Sequence, residues 1–201
     1  MPIDFTVMYA THDAFRRDLS RLGAAAEAGL ADSPGVRAGW ANFNRQLHVH
    51  HSVEDAVLWP RVLDALAGRP HDRALMAEMQ AEHAALDPAL AVVEKGMRRQ
   101  SADLPDSIHK LTEILSQHMA HEESSALPLI QEVLTVKDWD AFRGAMARKQ
   151  GPSGAAVYIP WVLDDTTLEQ RRRFLAAMPG PVALINRSLW ERRYRNQRWW
   201  Q

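Results

Sequence analysis

Apolar residues recur at steps of three and four along the first ~135 residues, which is the pattern of helices that bury one face. Four such stretches cover residues 4–28, 36–67, 72–99 and the region from residue 103 onward. Glycine, proline and aspartate residues between them leave room only for short loops. Because short loops join neighbouring helices that run in opposite directions, the sequence predicts an all-α fold, an antiparallel up-down four-helix bundle.

Three prolines lie inside the predicted helices. Pro60, Pro88 and Pro128 each remove one backbone hydrogen bond and crowd the carbonyl four residues earlier. We therefore expect a kink or bend at each of them. A further short helix is predicted over residues 137–149.

The pattern changes after residue 150. Residues 157–161 are apolar and predict an extended segment, and two short helices are predicted over residues 165–177 and 182–194. This part is too short and too polar to support a core of its own. The sequence thus predicts a bundle over residues 1–150 and a helical C-terminal extension over residues 151–201 that packs on it.

Composition narrows the classes of function. The chain contains no cysteine, which excludes disulfides and thiolate metal sites. It has neither a secretory leader pattern nor ~18 uninterrupted apolar residues, so we expect a cytoplasmic protein without a membrane partner. The net charge is −1, yet the chain from Arg171 onward holds eight arginines against one acid, Glu191. Such asymmetry indicates an internal docking surface or an acidic partner rather than nucleic acid, and the oligomeric state is left open.

Histidines are placed near the middle of all four predicted helices. They are His12 on the first, His50 and His51 on the second, His83 on the third, and His118 and His121 on the fourth. Two helices carry the same local pattern, His50-x-x-x-Glu54 and His118-x-x-x-Glu122, and each has a proline ten residues after its histidine. The two copies are 68 residues apart, which is consistent with a duplicated two-helix unit.

The spacing of these pairs has a chemical meaning. Residues four apart lie one turn apart on the same helix face, so a histidine and a carboxylate can hold one metal ion or bridge two. A single pair of this kind is also a common helix-stabilising contact, and a lone core histidine is usually just hydrogen-bonded. Four helices that each bury a polar group at similar depth are costly unless a metal satisfies them together. Imidazole with carboxylate suits iron, zinc or manganese, and the number of carboxylates favours two ions.

The motif His-His-x-x-Glu-Asp-x-x-Leu-Trp-Pro at residues 50–60, with its partial repeat at residues 118–128, resembles the hemerythrin-like (HHE cation-binding) family. The resemblance covers about residues 4–134, and the C-terminal extension is similar to those of actinobacterial hemerythrin-like proteins. It implies a four-helix bundle with a non-haem di-iron centre, whose cofactor is two iron ions. Carried over by position, the terminal ligands are His12, His50, His83 and His118, and the bridging carboxylates are Glu54 and Glu122.

Two features depart from the oxygen-carrying hemerythrins. Those proteins place two histidines one turn apart on the third helix, whereas Met79 and Asp87 flank His83 here. His51 either supplies the missing imidazole as a ligand or lies behind the ligands. Asp55 and His121 are expected behind the ligands or at the surface.

Two further positions depend on the same resemblance. The oxygen carriers also set their helix-four carboxylate five residues after the histidine, which would select Glu123, but the spacing of Glu54 from His50 favours Glu122. Tyr9 either reaches the pocket or is an ordinary core residue.

The resemblance also implies an activity. Fewer protein ligands than in the oxygen carriers leave coordination positions open, so dioxygen, hydrogen peroxide or nitric oxide can bind, and peroxide decomposition of a catalase-like kind is the enzymatic hypothesis. A non-enzymatic oxygen or iron carrier or sensor is the alternative. A third hypothesis is an interaction module in which the arginine-rich tail docks a partner. The Glu-x-x-His pairs of ferritin-like enzymes are absent from corresponding positions, which argues against iron storage.

Overall fold

The structure, a computed structural model, describes residues 2–201. These residues form helices and turns, with no β-strand among them, which confirms the predicted all-α fold. None of the described helices combines the length and the apolar character that crossing a bilayer requires. The α-helices are α1 (Thr6–Glu27), α2 (Pro34–Val53), α3 (Trp59–Ala65), α4 (Pro70–Arg99), α5 (Leu104–His121), α6 (Leu127–Val133), α7 (Val136–Val162), α8 (Leu168–Ala176), α9 (Gly180–Ile185) and α10 (Glu191–Arg195).

Single turns of π-helix precede two of the three interior prolines. The turn Glu54–Leu58 joins α2 to α3, and the turn Glu122–Ala126 joins α5 to α6. In each turn the first carbonyl accepts a hydrogen bond from the residue five positions later instead of four. The wider turn suits Pro60 and Pro128, because a proline cannot donate to the carbonyl four residues earlier and crowds it.

Pro88 behaves differently from the other two interior prolines. Helix α4 continues through it from Pro70 to Arg99 without a break. The helix ends at Gln100, whose left-handed backbone (φ 49°) allows the Ser101 N–H to bond back to the Gly96 carbonyl at 3.1 Å.

The prediction of an extended segment over residues 157–161 is wrong. Helix α7 includes these residues and is interrupted only at Gly151, whose φ of 64° is open to glycine at little cost. Pro152 follows in the first turn after this break, where a missing N–H has no helical partner to lose. The run is apolar because residues 159–163 are all buried, so this part of the helix is covered on every side.

The helices group into two compact units. The first comprises Leu47–Lys149 with Ile3, and within it α4 packs along α5. Fully buried apolar side chains from several of its helices form its core, among them Leu58, Trp59, Met76, Met79, Leu111, Leu115 and Ile130. The predicted division into a bundle over residues 1–150 and an extension over residues 151–201 stays a prediction.

The second unit comprises Asp4–Gln46 and Gln150–Gln201. Its core is aromatic: the Phe15 ring lies 5.6 Å from that of Phe43, edge to face, and 5.2 Å from that of Trp161. Buried against them is Asp18, which accepts hydrogen bonds from Trp161 Nε1 at 2.7 Å and from the Arg17 guanidinium at 2.8 and 3.0 Å. Burial raises the pKa of Asp18 even though Arg17 opposes it.

The last residues of the chain pack on the start of α2, within the second unit. The backbone N–H of Trp200 donates to the Gly35 carbonyl at 3.0 Å, and the indole ring of Trp200 covers Gly39. A Cβ atom at Gly39 would lie 2.5 Å from the Trp200 ring. Glycine is therefore required at this contact for steric reasons.

Replacing Gly39 with alanine tests this contact. Alanine normally stabilises a helix interior by ~0.5–1 kcal/mol relative to glycine, and Gly23→Ala should do so because its Cβ meets nothing within 4 Å. Gly39→Ala should instead lower the free energy of unfolding by about 1–3 kcal/mol, because the indole must move. Urea unfolding of both variants measures the difference. Equal stabilisation by the two substitutions would contradict the packing of Trp200 on Gly39.

Candidate metal centre

The site in the first unit begins where α2 passes into its π turn. The end of α2 carries His50 and His51, and the turn starts at Glu54. His50 and Glu54 are buried, and His50 Nε2 lies 3.2 Å from Glu54 Oε1. The predicted pairing of these two side chains on one face is therefore present in the fold.

Helices α4 and α5 bring two more imidazoles to the same place. His83 Nε2 and His118 Nε2 are 3.1 Å apart, and both rings are buried. The half-buried ring of His51 stacks on that of His83, with centroids 4.0 Å apart and planes at 22°. Ligand atoms of His51, His83 and His118 all lie within 4.8 Å of one another, and so do those of His50, His51 and Glu54.

Carboxylates hold the outer nitrogens of two of these rings. Asp55 Oδ1 lies 2.9 Å from His83 Nδ1, and Glu82 Oε2 lies 2.9 Å from His118 Nδ1. A carboxylate accepts a hydrogen bond from the Nδ1–H group, so each neutral ring then turns an unprotonated Nε2 inward. Burial lowers the pKa of His118, opposed by Glu122 and aided by His83, which favours the neutral ring. Two inward lone pairs 3.1 Å apart are the arrangement that a shared cation stabilises.

Glu54 is an acid buried in the site without hydrogen bonds to its carboxylate. Its carboxylate is fully buried, and neither oxygen has a hydrogen-bond partner among the described residues, although His50 Nε2 lies 3.2 Å from Oε1 and His83 Nε2 lies 3.8 Å from Oε2. Burial raises the pKa of Glu54 well above its ordinary value of 4.5, and the negative charges of Glu122 and Asp55 raise it further. A buried carboxylate in this state needs a proton or a cation.

Glu122 and Glu123 differ in burial. Glu122, at the start of the second π turn, is buried with Oε2 3.9 Å from His118 Nε2, whereas Glu123 is half-buried. The structure therefore places the Glu122 side chain beside the histidines, in the position that repeats that of Glu54.

Two of the sequence-derived candidates lie in the second unit. His12 is fully buried in α1, and its assignment as a metal ligand stays a prediction. Tyr9 has 43% of its surface exposed, so the description of it as an ordinary core tyrosine is wrong. A step of three residues separates the two along α1, yet it leaves Tyr9 at the edge of the buried face.

The sequence reasoning missed Glu82. Its carboxylate joins two histidines, because Oε2 contacts His118 Nδ1 and Oε1 lies 2.7 Å from His121 Nδ1. A signal was present: Glu82 follows the buried Met79 by three positions and precedes the buried Leu86 by four, so it borders the buried face of α4. The placement of Asp55 and His121 behind the inner histidines agrees with the sequence expectation for them.

The donor set fits a metal ion. Imidazole nitrogens and carboxylate oxygens together suit iron, manganese or zinc, and carboxylates at the outer nitrogens are the usual support of histidine ligands. A cation bound here would satisfy the buried Glu54 carboxylate, which has no hydrogen-bond partner among the described residues. An all-helical fold with this cluster defines a helical cation-binding protein.

Comparison with known protein families agrees with this class. The family model described as the hemerythrin HHE cation binding domain matches residues 4–130, and the chain belongs to that family. The all-helical structure is consistent with a hemerythrin helical bundle. Neither the curated proteins nor the solved structures with which the chain was compared gave a match.

Glu54→Gln should separate metal binding from stability. The substitution removes a buried charge, so metal-free protein should gain about 1–3 kcal/mol at neutral pH while metal binding is lost. Because the folded Glu54 holds its proton more tightly than the unfolded chain does, wild-type stability from this group declines as pH rises above 4.5. The advantage of the variant should therefore grow with pH.

Thermal unfolding of the metal-free proteins between pH 5 and 8 measures this difference. The control is Glu113→Gln, which alters an exposed carboxylate paired with His109 on α5 and should change neither property. A metal-free Glu54→Gln protein less stable than wild type across this range would refute the assignment of an unsatisfied buried charge.

Glu82→Ala should weaken metal binding by 10–100-fold, because the inner face of His118 loses its fixed orientation. Glu82→Gln retains an oxygen that can accept the Nδ1 proton and should restore part of the affinity. Competition with a chelator of known affinity measures both, with Glu113→Ala as the control on α5. Unchanged affinity in Glu82→Ala would mean that the carboxylate does not support the site.

Proposed function

We propose that this hemerythrin-family chain holds two iron ions and reacts with small oxidants, with catalase-like decomposition of hydrogen peroxide as its activity. The observation that carries the proposal is the buried, unsatisfied carboxylate of Glu54 among inward-facing imidazole nitrogens. The family is described by cation binding, which supports the metal but leaves its identity and its number to be tested.

In this proposal the carboxylates Glu54 and Glu122 bridge the two ions. Both begin a π turn, and each follows a buried histidine by four residues. The terminal ligands within the first unit are His50, His51, His83 and His118, and the assignment of His12 stays a prediction from the sequence. His51 is included because its ligand atom belongs to both of the described groups of the first unit, which makes it the side chain they share.

The surroundings favour a small ligand. His50, His83 and His118 are buried, and His51 is the half-buried member of the set, so it is the ring that solvent reaches most easily. Iron in such a site supplies redox chemistry, by which two molecules of hydrogen peroxide give one dioxygen and two waters. The chain's own residues then orient the imidazoles: Asp55 holds His83, and Glu82 holds His118.

His83→Ala tests both the metal and the activity. The variant should lose most bound iron and all oxygen evolution from peroxide, whereas His71→Ala, an exposed histidine on the same helix, should keep two irons per chain and full activity. Iron analysis, an ultraviolet–visible spectrum and an oxygen electrode provide the readouts. Two irons retained in His83→Ala would refute the ligand assignment.

Repeated additions of peroxide distinguish an enzyme from a binder. An enzyme should evolve oxygen at each addition and keep its iron. A stable oxygenated spectrum without turnover would instead support the second candidate, a non-enzymatic oxygen-binding or sensing protein.

A further inference from the structure

The arginine-rich end of the chain forms a cavity in the second unit. Its volume is about 290 Å³, near the lower limit for small-molecule pockets. It is lined by Arg21, Asp164, Tyr194, Arg195, Arg198, Trp199, Trp200 and Gln201. None of these residues belongs to the candidate metal centre.

Asp164, the acid that lines this cavity, already has a counter-charge and a hydrogen-bond donor. Arg21 Nη1 lies 2.7 Å from Asp164 Oδ2, and the Tyr194 hydroxyl donates to the same oxygen at 3.1 Å. Burial raises the pKa of Tyr194, aided by the charge of Asp164, so the phenol remains a donor. Arg195 and Arg198, by contrast, form no ion pair with any of the described residues 2–201. The residues that line the cavity therefore include three arginines and one acidic side chain, Asp164.

Trp199 and Trp200 form an aromatic wall of the cavity, which adds a flat surface and an unused hydrogen-bond donor. The Trp199 ring meets that of Tyr194 edge to face at 5.0 Å, and Trp200 Nε1 is buried with no hydrogen-bond partner in the described chain. Burying an indole N–H without an acceptor is unfavourable, so an acceptor supplied by a ligand would stabilise this arrangement.

The backbone holds these side chains in an uncommon conformation. Arg198 and Trp200 both have positive φ, 47° and 65°. Non-glycine residues in this region cost energy and cluster at ligand-binding places. The contacts of Trp200 with Gly35 and Gly39 fix the segment there. Close packing thus fixes the wall of the cavity that Trp200 forms.

We infer that this cavity binds a small organic anion, a phosphate or carboxylate group attached to a flat ring. The fork of a guanidinium matches such an oxyanion, and Arg195 and Arg198 supply two. The ring of the ligand packs against Trp199, and the indole N–H of Trp200 donates to the ligand. This site would account for Arg195 and Arg198 independently of the iron chemistry.

Titration calorimetry of the full chain tests the site with three probes. Phenyl phosphate carries both recognised features, inorganic phosphate lacks the ring, and phenol lacks the charge. Phenyl phosphate should bind at least ten-fold more tightly than phosphate, and phenol should not bind measurably. Equal affinity for phosphate and phenyl phosphate would overturn the role of the aromatic wall.

Variants locate the binding. Arg195→Gln combined with Arg198→Asn should weaken phenyl phosphate at least ten-fold, and asparagine tolerates the left-handed backbone at position 198. Trp200→Phe, which keeps a ring but removes the N–H, should weaken it by several fold. Arg187→Gln removes an exposed arginine outside the cavity and should have no effect. Circular dichroism verifies that each variant is folded.

Three results would overturn the inference. They are undiminished binding in the double arginine variant, an equal loss in Arg187→Gln, and binding of a single-stranded oligonucleotide when phenyl phosphate does not bind. The second would mean that only the overall charge of the tail matters. The third would identify nucleic acid as the partner.

Discussion

Burial of the Glu54 carboxylate among imidazoles is the constraint on which the first unit depends. An unsatisfied buried charge costs several kcal/mol, a large part of the 5–15 kcal/mol by which a domain is stable. Helices α2, α4 and α5 nevertheless all bring polar groups to one place, and the rings of His83 and His118 meet at their inward nitrogens. A bound cation would remove this cost, because the imidazole nitrogens and carboxylate oxygens that repel one another or lack partners are good metal ligands.

The π turns Glu54–Leu58 and Glu122–Ala126 explain how two long helices present a buried carboxylate. In both copies of the repeat the carboxylate is the first residue of the turn, and the proline follows it by six positions. The proline disfavours the normal bond pattern and the turn widens before it. The Arg61 side chain also bonds a carbonyl within the first turn, since its Nη1 donates to the Val57 oxygen at 2.6 Å. Backbone irregularity and ligand position therefore have one cause in each copy.

Periodicity was sufficient to predict the helices, since burial of one face repeats at every turn. It also placed Glu122 inside and Glu123 towards the surface through the spacing shared with Glu54. It failed for residues 157–161, where a short apolar run has no period long enough to separate strand from helix. It also missed Glu82, because a carboxylate at the border of a buried face resembles any surface acid until the facing helix is known.

Asp18 and Glu54 show why burial alone does not identify a metal ligand. Both carboxylates are fully buried, and burial raises the pKa of both. Asp18, however, receives hydrogen bonds from Arg17 and from the Trp161 indole, so the protein itself supplies its counter-charge and its donors. Glu54 lies beside His83, which Asp55 orients, and the Nε2 of this ring can only accept once its Nδ1 carries the proton. The first arrangement is complete as it stands, whereas the second still needs a proton or a cation, and this difference in chemistry is why we propose Glu54, and not Asp18, as a metal ligand.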